Sequence, residues 1–181
     1  MSKALIIIDM WDKYHPGHDR FTSPLEQLAL RLRWLMEKIN IPIVVASYNT
    51  PQINPNYKAP WSTTNQTILD GLRNYTEDPR KKIINSNDLV SWDKDEVMKF
   101  LNSHNVTDLY FAGVSFPGCV QARSLGMDNM KDNFNCHVVV DCVLNTLGPE
   151  YTEYDIIHDT YHHVFKSGLS YIHSSELITH D

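Results

Sequence analysis

The 181-residue chain has no long apolar run. No window approaches the roughly 18 apolar residues of a membrane-spanning helix, so a helical membrane protein is not expected. Clustered positive charge is also missing. No run of five or more basic residues occurs, and the net charge is -6, from 22 acidic and 16 basic residues. A mildly acidic surface gives no electrostatic reason to bind a polyanion, which removes nucleic acid from the expected partners. Cysteine is scarce: Cys119, Cys136 and Cys142, with no CxxC pair, so neither a zinc ribbon nor a thioredoxin-type motif is supported. Internal repeats, low-complexity segments and long linkers are absent too. The opening "MSKALIIIDMWD" does not read as a signal peptide, because its apolar run of about five residues stops on an aspartate. The expected location is the cytoplasm, where the three thiols stay reduced.

What remains is ordinary material for a core. Hydrophobic residues make up 42% and charged residues 21%, and this length suits one domain spanning 1–181. Apolar runs and amphipathic stretches alternate. "KALIIID" (3–9) is nearly continuous in apolar residues, as a strand buried on both faces should be. A helix is expected over 24–39. Ser23 is its N-cap, Pro24 takes the first position, and Glu26 completes a capping box. Leu25, Leu28, Leu32, Leu35, Met36 and Ile39 form its apolar stripe. "PIVVAS" (42–47) is a second strand. Residues 48–65, with three prolines, read as a long loop of the kind that often carries function, and a short helix follows near 66–74.

"KKIINS" (81–86) is the third strand. A helix over 92–105 starts at Asp93, with Glu96 as box partner and Trp92 and Val97 as a staple. "DLYFAGV" (108–114) is strand four, followed by a helix over 119–131. "CHVVVD" (136–141) is strand five. A proline-opened helix over 149–165, a short strand at 169–172 and a terminal turn at "SSEL" complete the chain. This alternation predicts an α/β fold: a three-layer, Rossmann-like, mostly parallel six-stranded sheet with helices on both faces. The leading strand order is 3-2-1-4-5-6. Ligands then bind beyond the strand ends between strands one and four, where the order reverses.

Asp9 ends strand one, and Cys119 follows strand four in "GVSFPGCVQAR" (113–123). The assumed order brings both to one crevice. First-turn helix amides favour a thiolate, and the Cys119 N–H with another turn amide can form an oxyanion hole. Each residue also has a plainer reading. A lone cysteine is more often core than nucleophile, and an acid ending a strand can be a cap or ion-pair partner. Cys136 and Cys142 flank strand five and read as structural. Trp11, Tyr14, Trp61 and Phe116 are candidate pocket walls on which a flat substrate would stack. Packing of the loops is the competing role for Tyr14 and Trp61.

The segments "LIIIDMWDKY", "KIINSND", "YFAGVSFPGCVQARSLGM" and "NCHVVVDCV" resemble, in order and spacing, the isochorismatase-like cysteine hydrolases. That superfamily includes nicotinamidases and N-carbamoylsarcosine amidases. The resemblance covers most of the chain, down to "SYIHSSELI". It implies a Rossmann-like sheet and a catalytic triad of Asp9, Lys82 and Cys119. Lys82 is chosen over Lys81 because the family's lysine stands four residues before a serine, here Ser86. The resemblance also implies a cis peptide at Val114–Ser115, with the Ser115 and Cys119 amides as oxyanion donors. It further implies a homo-oligomer acting on a small molecule.

The chain departs from the nicotinamidase pattern at the metal. After "PIVVAS" neither aspartate nor histidine occurs until Asp70, so the Asp-x-His motif is missing. His15 and His18 of "HPGH" are not fixed on one helical face, and His162 and His163 read as surface or packing residues. No metal and no cofactor are expected. Phe116 and Pro117, in place of the commoner residues before the cysteine, are expected to narrow and dry the pocket mouth. The expected activity is hydrolysis of a C–N bond in a small amide or ureido compound. The competing expectations are a catalytically silent binding module and a vinyl ether hydrolase.

Overall fold

The structure, a computed structural model, describes residues 2–10, 22–48, 80–86, 93–145 and 152–178; for 22–26, 47–48, 81–86 and 153 it describes the backbone alone. Six strands form one sheet: β1 (Ser2–Ile8), β2 (Ile43–Tyr48), β3 (Lys81–Ser86), β4 (Val106–Val114), β5 (Asn135–Leu144) and the two-residue β6 (Tyr171–Ile172). Their order is β3-β2-β1-β4-β5-β6, and each pairing among the described residues is parallel. The expected order 3-2-1-4-5-6 is therefore the observed one.

Side chains alternate along each strand, so the apolar runs feed two separate cores. On one face Ile6, Ile8, Val44, Phe111 and Val138 pack with Val97 and Leu101 of α2 (Lys94–Ser103). Val120 of α3 (Gly118–Ala122) and Met127 and Met130 of α4 (Met127–Met130) join them. On the other face Leu5, Ile7, Val45, Tyr110 and Val139 meet Leu28, Leu32, Leu35 and Met36 of α1 (Thr22–Lys38). Ile156 of α5 (Glu153–Ser167) and Leu177 of α6 (Ser174–Ile178) close that side.

Local chemistry sets the element ends. Asp93 caps α2 by accepting from the Glu96 N–H at 3.0 Å. The helix expected over 149–165 begins later, because Thr152 and Asp155 form a reciprocal capping box, and Gly168 ends it in the left-handed conformation. The single helix expected over 119–131 is two short ones. The chain leaves α3 at Arg123, which is extended (φ -63, ψ 163). It then passes Gly126, where a Cβ would sit 2.6 Å from the Gln121 carbonyl oxygen. The close backbone approach requires glycine there. The expected loop over 48–65, except Tyr48 itself, the helix near 66–74 and Trp92 lie outside the described residues. No helix among the described residues is long and apolar enough to cross a membrane.

Candidate active site

The ends of β1 and β4 touch at the centre of the sheet. Ile8 is in register with Gly113, whose φ is +111, and a Cβ at Gly113 would lie 2.0 Å from the Ile8 carbonyl oxygen. Only glycine admits both that conformation and that contact. The chain then turns through two cis peptides, Val114–Ser115 and Phe116–Pro117. The turn is tied by Val120 N–H to the Ser115 carbonyl (3.1 Å) and Gln121 N–H to the Pro117 carbonyl (2.8 Å). Cys119 follows as the second residue of α3.

Asp9 is the first residue beyond β1. Its φ is +47, a left-handed conformation that aspartate tolerates better than most side chains. Its N–H donates to the Ala46 carbonyl at 3.1 Å, so the bend is anchored on β2. The residue is 1% exposed, which makes its carboxyl an unusual occupant of the site. Among the described residues two groups face it: the Arg123 guanidinium stands 3.2 Å from Oδ2, and the Cys119 thiol lies beside the carboxylate, whose two oxygens make no hydrogen bond of ordinary geometry. Burial pushes the Asp9 pKa from 3.8 up to about 6, against the opposing pull of Arg123 and Cys119.

The structure thus brings Asp9 and Cys119 together and adds Arg123, which sequence reasoning missed. A signal was available: Arg123 is four residues after Cys119, the spacing that puts two side chains on one helical face. Lys82 lies on β3 in register with Val44, and Lys81 in register with Ile43. Val44 belongs to the core that holds Phe116 and Val120, Ile43 to the opposite one. The lysine side chains lie outside the described ones. So do Trp11, Tyr14, Trp61, His15 and His18.

Phe116 corrects an expectation. It is fully buried, packed edge-on against His163 with ring centroids 5.4 Å apart, and is core rather than a wall of an open mouth. The Phe116 N–H donates to the Leu144 carbonyl (2.8 Å), which holds this residue at the end of β5 beneath the turn. His162 is exposed and His163 half-buried. Among the described residues no group of three or more His, Cys, Asp or Glu is placed to hold a metal ion. An open groove of ≈ 200 Å³ lies elsewhere, lined by Leu28 and Arg31 of α1, Asp141 of β5 and Thr160 and Tyr161 of α5. It contains neither the buried acid nor Cys119, so the chemistry is assigned to the strand ends.

The three thiols differ in setting. Cys119 is half-buried beside Asp9. Burial pushes the Cys136 thiol up to about 11, and pushes the fully buried Cys142 up further still. Thiolates are the reactive form. A limiting alkylating agent near neutral pH is therefore expected to modify Cys119 at least about tenfold faster than Cys136, with Cys142 last. Peptide mapping by mass spectrometry reads the order.

A family model, the isochorismatase domain, matches residues 3–160. No curated protein matches the sequence. Among solved structures, an isochorismatase-like hydrolase from Alkaliphilus metalliredigens superposes with a TM-score of 0.64 at 15% identity, covering 98% of both chains. N-carbamoylsarcosine amidase from Thermoplasma acidophilum gives 0.59 at 17% identity, over 96% of this chain and 97% of that one. A nicotinamidase/pyrazinamidase from Bacillus subtilis gives 0.60 at 16% identity, over 94% and 99%. At these identities the structural likeness carries the fold alone. The family-model match carries more: the chain belongs to the isochorismatase-like hydrolase family.

Proposed function

We propose that the protein is a cysteine hydrolase that cleaves a C–N bond in a small amide or ureido compound. The observation that carries this reading is the buried Asp9 carboxyl with the Cys119 thiol beside it where β1 and β4 end. Asp9 takes the proton from Sγ, and the sulfur attacks the carbonyl carbon. The Ser115 and Cys119 amides receive the oxyanion. Asp9 then returns the proton to the leaving nitrogen as the C–N bond breaks, leaving a thioester on Cys119. Asp9 next removes a proton from water, whose oxygen attacks the thioester, and the proton goes back to sulfur as the acid product departs. Lys82 is assigned the ammonium that steadies the thiolate and orients Asp9. A vinyl ether hydrolase has no use for this thiol, and Cys119 speaks against that alternative.

The same reading takes the chain as a single domain over 1–181, acting in the cytoplasm as a homo-oligomer, with a small molecule as its substrate. The family includes amidase relatives among its solved folds, in keeping with the bond type proposed.

Incubation with a panel of amides and ureido compounds tests the proposal. Intact-mass analysis is expected to show an acyl adduct, mapped to Cys119, with at least one of them. An adduct on another residue, or turnover unaffected by loss of Cys119, overturns it. The pH dependence follows from Asp9. The base must be ionised to accept the proton, and burial raises its pKa to about 6. kcat/KM is thus expected to rise with pH through about 6 and to fall away below it.

A further inference from the structure

We propose that Arg123 is a positioning residue whose guanidinium holds the Asp9 carboxylate in place, and in its ionised form, as the proton acceptor for Cys119. This inference rests on the cysteine hydrolase reading and extends it to a residue outside the expected triad.

The geometry is built rather than incidental. Arg123 closes α3: its N–H donates to the Cys119 carbonyl at 3.1 Å, so thiol and guanidinium are one helical turn apart. The chain there departs from the helix into an extended conformation. Asn129 fixes that departure, its side-chain amide donating to the carbonyls of Ala122 (3.1 Å) and Arg123 (2.8 Å). The Asn129 carbonyl is in turn held by Lys94 Nζ at 2.6 Å. Gly126, which admits no Cβ against the Gln121 carbonyl, makes the bend tight. The break between α3 and α4 therefore has a use: it turns the side chain of Arg123 toward the end of β1.

At the other end Asp9 is held in a left-handed conformation with 1% exposure. A carboxylate so enclosed favours its neutral form unless a cation stands beside it. The Arg123 side chain is 12% exposed and 3.2 Å from Oδ2. Guanidinium stays charged at any working pH, so it does not compete for the proton, and its charge beside Oδ2 favours the ionised carboxylate. When the thiol proton moves to Asp9, the guanidinium keeps all of its own. Among the described residues the charged and titratable groups facing Asp9 are Arg123 and Cys119. On the β2 side the main-chain carbonyl of Ala46 meets its N–H. Lys82 stands two strands away on β3, its side chain outside the described ones.

The test needs no substrate. The rate of Cys119 alkylation by iodoacetamide is measured against pH, by peptide mass spectrometry, in wild type, Arg123→Gln, Arg123→Lys and Asn129→Ala. Wild type is expected to show a lower limb near the Asp9 value of about 6. Arg123→Gln should move that limb upward by about one pH unit or more, cutting the rate near pH 6 by about tenfold. Arg123→Lys should restore most of the shift, because the charge is kept. Asn129→Ala should shift it in the same direction by less. An unchanged midpoint in a folded Arg123→Gln protein overturns the proposal while leaving the cysteine hydrolase reading intact. Should Arg123→Gln fail to fold, Asn129→Ala decides: an upward shift supports the assignment and an unmoved limb overturns it. A wild-type Cys119 that reacts no faster than Cys136 removes the underlying reading itself.

Discussion

Replacing Asp9 by asparagine is expected to yield a protein that is more stable at neutral pH and nearly inactive. The sign follows from linkage. Burial raises the Asp9 pKa from 3.8 to about 6, so the folded protein holds this proton more tightly than the unfolded chain. The contribution of Asp9 to stability is therefore greatest below about pH 4. It declines as pH rises and is lost by about pH 6. The gap between 3.8 and about 6 corresponds to about 3 kcal/mol at neutral pH. Asparagine cannot ionise and keeps the neutral form throughout. Asp9→Asn should gain up to about 3 kcal/mol over wild type at pH 7 and almost nothing at pH 4. Denaturant melts at the two values check this. The same substitution removes the proton acceptor and should lower turnover by at least about 100-fold. Cys119→Ala should lose as much by deleting the nucleophile, without the pH-dependent gain. Lys82→Met is expected to lose a comparable factor if the ammonium assists the thiolate. A loss of stability in Asp9→Asn at pH 7 would mean that its pairing with Arg123 outweighs the penalty of burial.

Gly113→Ala is expected to be the most damaging single-atom change. The added Cβ falls 2.0 Å from the Ile8 carbonyl oxygen and 2.8 Å from the Ile8 nitrogen, both backbone atoms of a central strand. A φ of +111 adds strain that alanine cannot relieve. Destabilisation of about 3 kcal/mol or more is expected, in the range reserved for backbone conflict and core disruption. It should appear as a large fall in melting temperature. Because Ile8 precedes Asp9, the variant should also lose the rapid alkylation of Cys119. Gly118→Ala is the matched control. There a Cβ meets only the Ser115 side chain, at 3.7 and 3.8 Å, which is ordinary contact. Its effect should stay within about 0.5 kcal/mol.

The sheet was legible because its strands are buried on both faces. Runs such as "ALIII" and "VVV" then announce themselves without alternation, and right-handed crossovers leave few orders to choose from. Asp9 and Cys119 were legible for a related reason: each ends or follows such a run at the reversal of strand order. Lys82 was not readable from physics, since a lysine pair on a short strand looks like solvated charge, and its nomination came from resemblance. The break after Arg123 escaped notice because Val120, Leu125, Met127 and Met130 all face the core, which mimics one helical stripe. Gly126 was the available clue, and its meaning depends on how near the Gln121 carbonyl comes. Phe116 was misread for want of its neighbours: only the fold shows that His163 and the end of β5 enclose it.

The sheet stops abruptly on one side. β6 matches β5 at two positions, Val138 with Tyr171 and Val139 with Ile172. Just above, the Asp141 carboxylate accepts from the Ser174 N–H (2.8 Å) and hydroxyl (2.6 Å) and pins the start of α6 over the rim. A foreign strand arriving there finds two rungs and then a helix, too little ladder to extend. This rim is therefore a poor template for fibril-like growth.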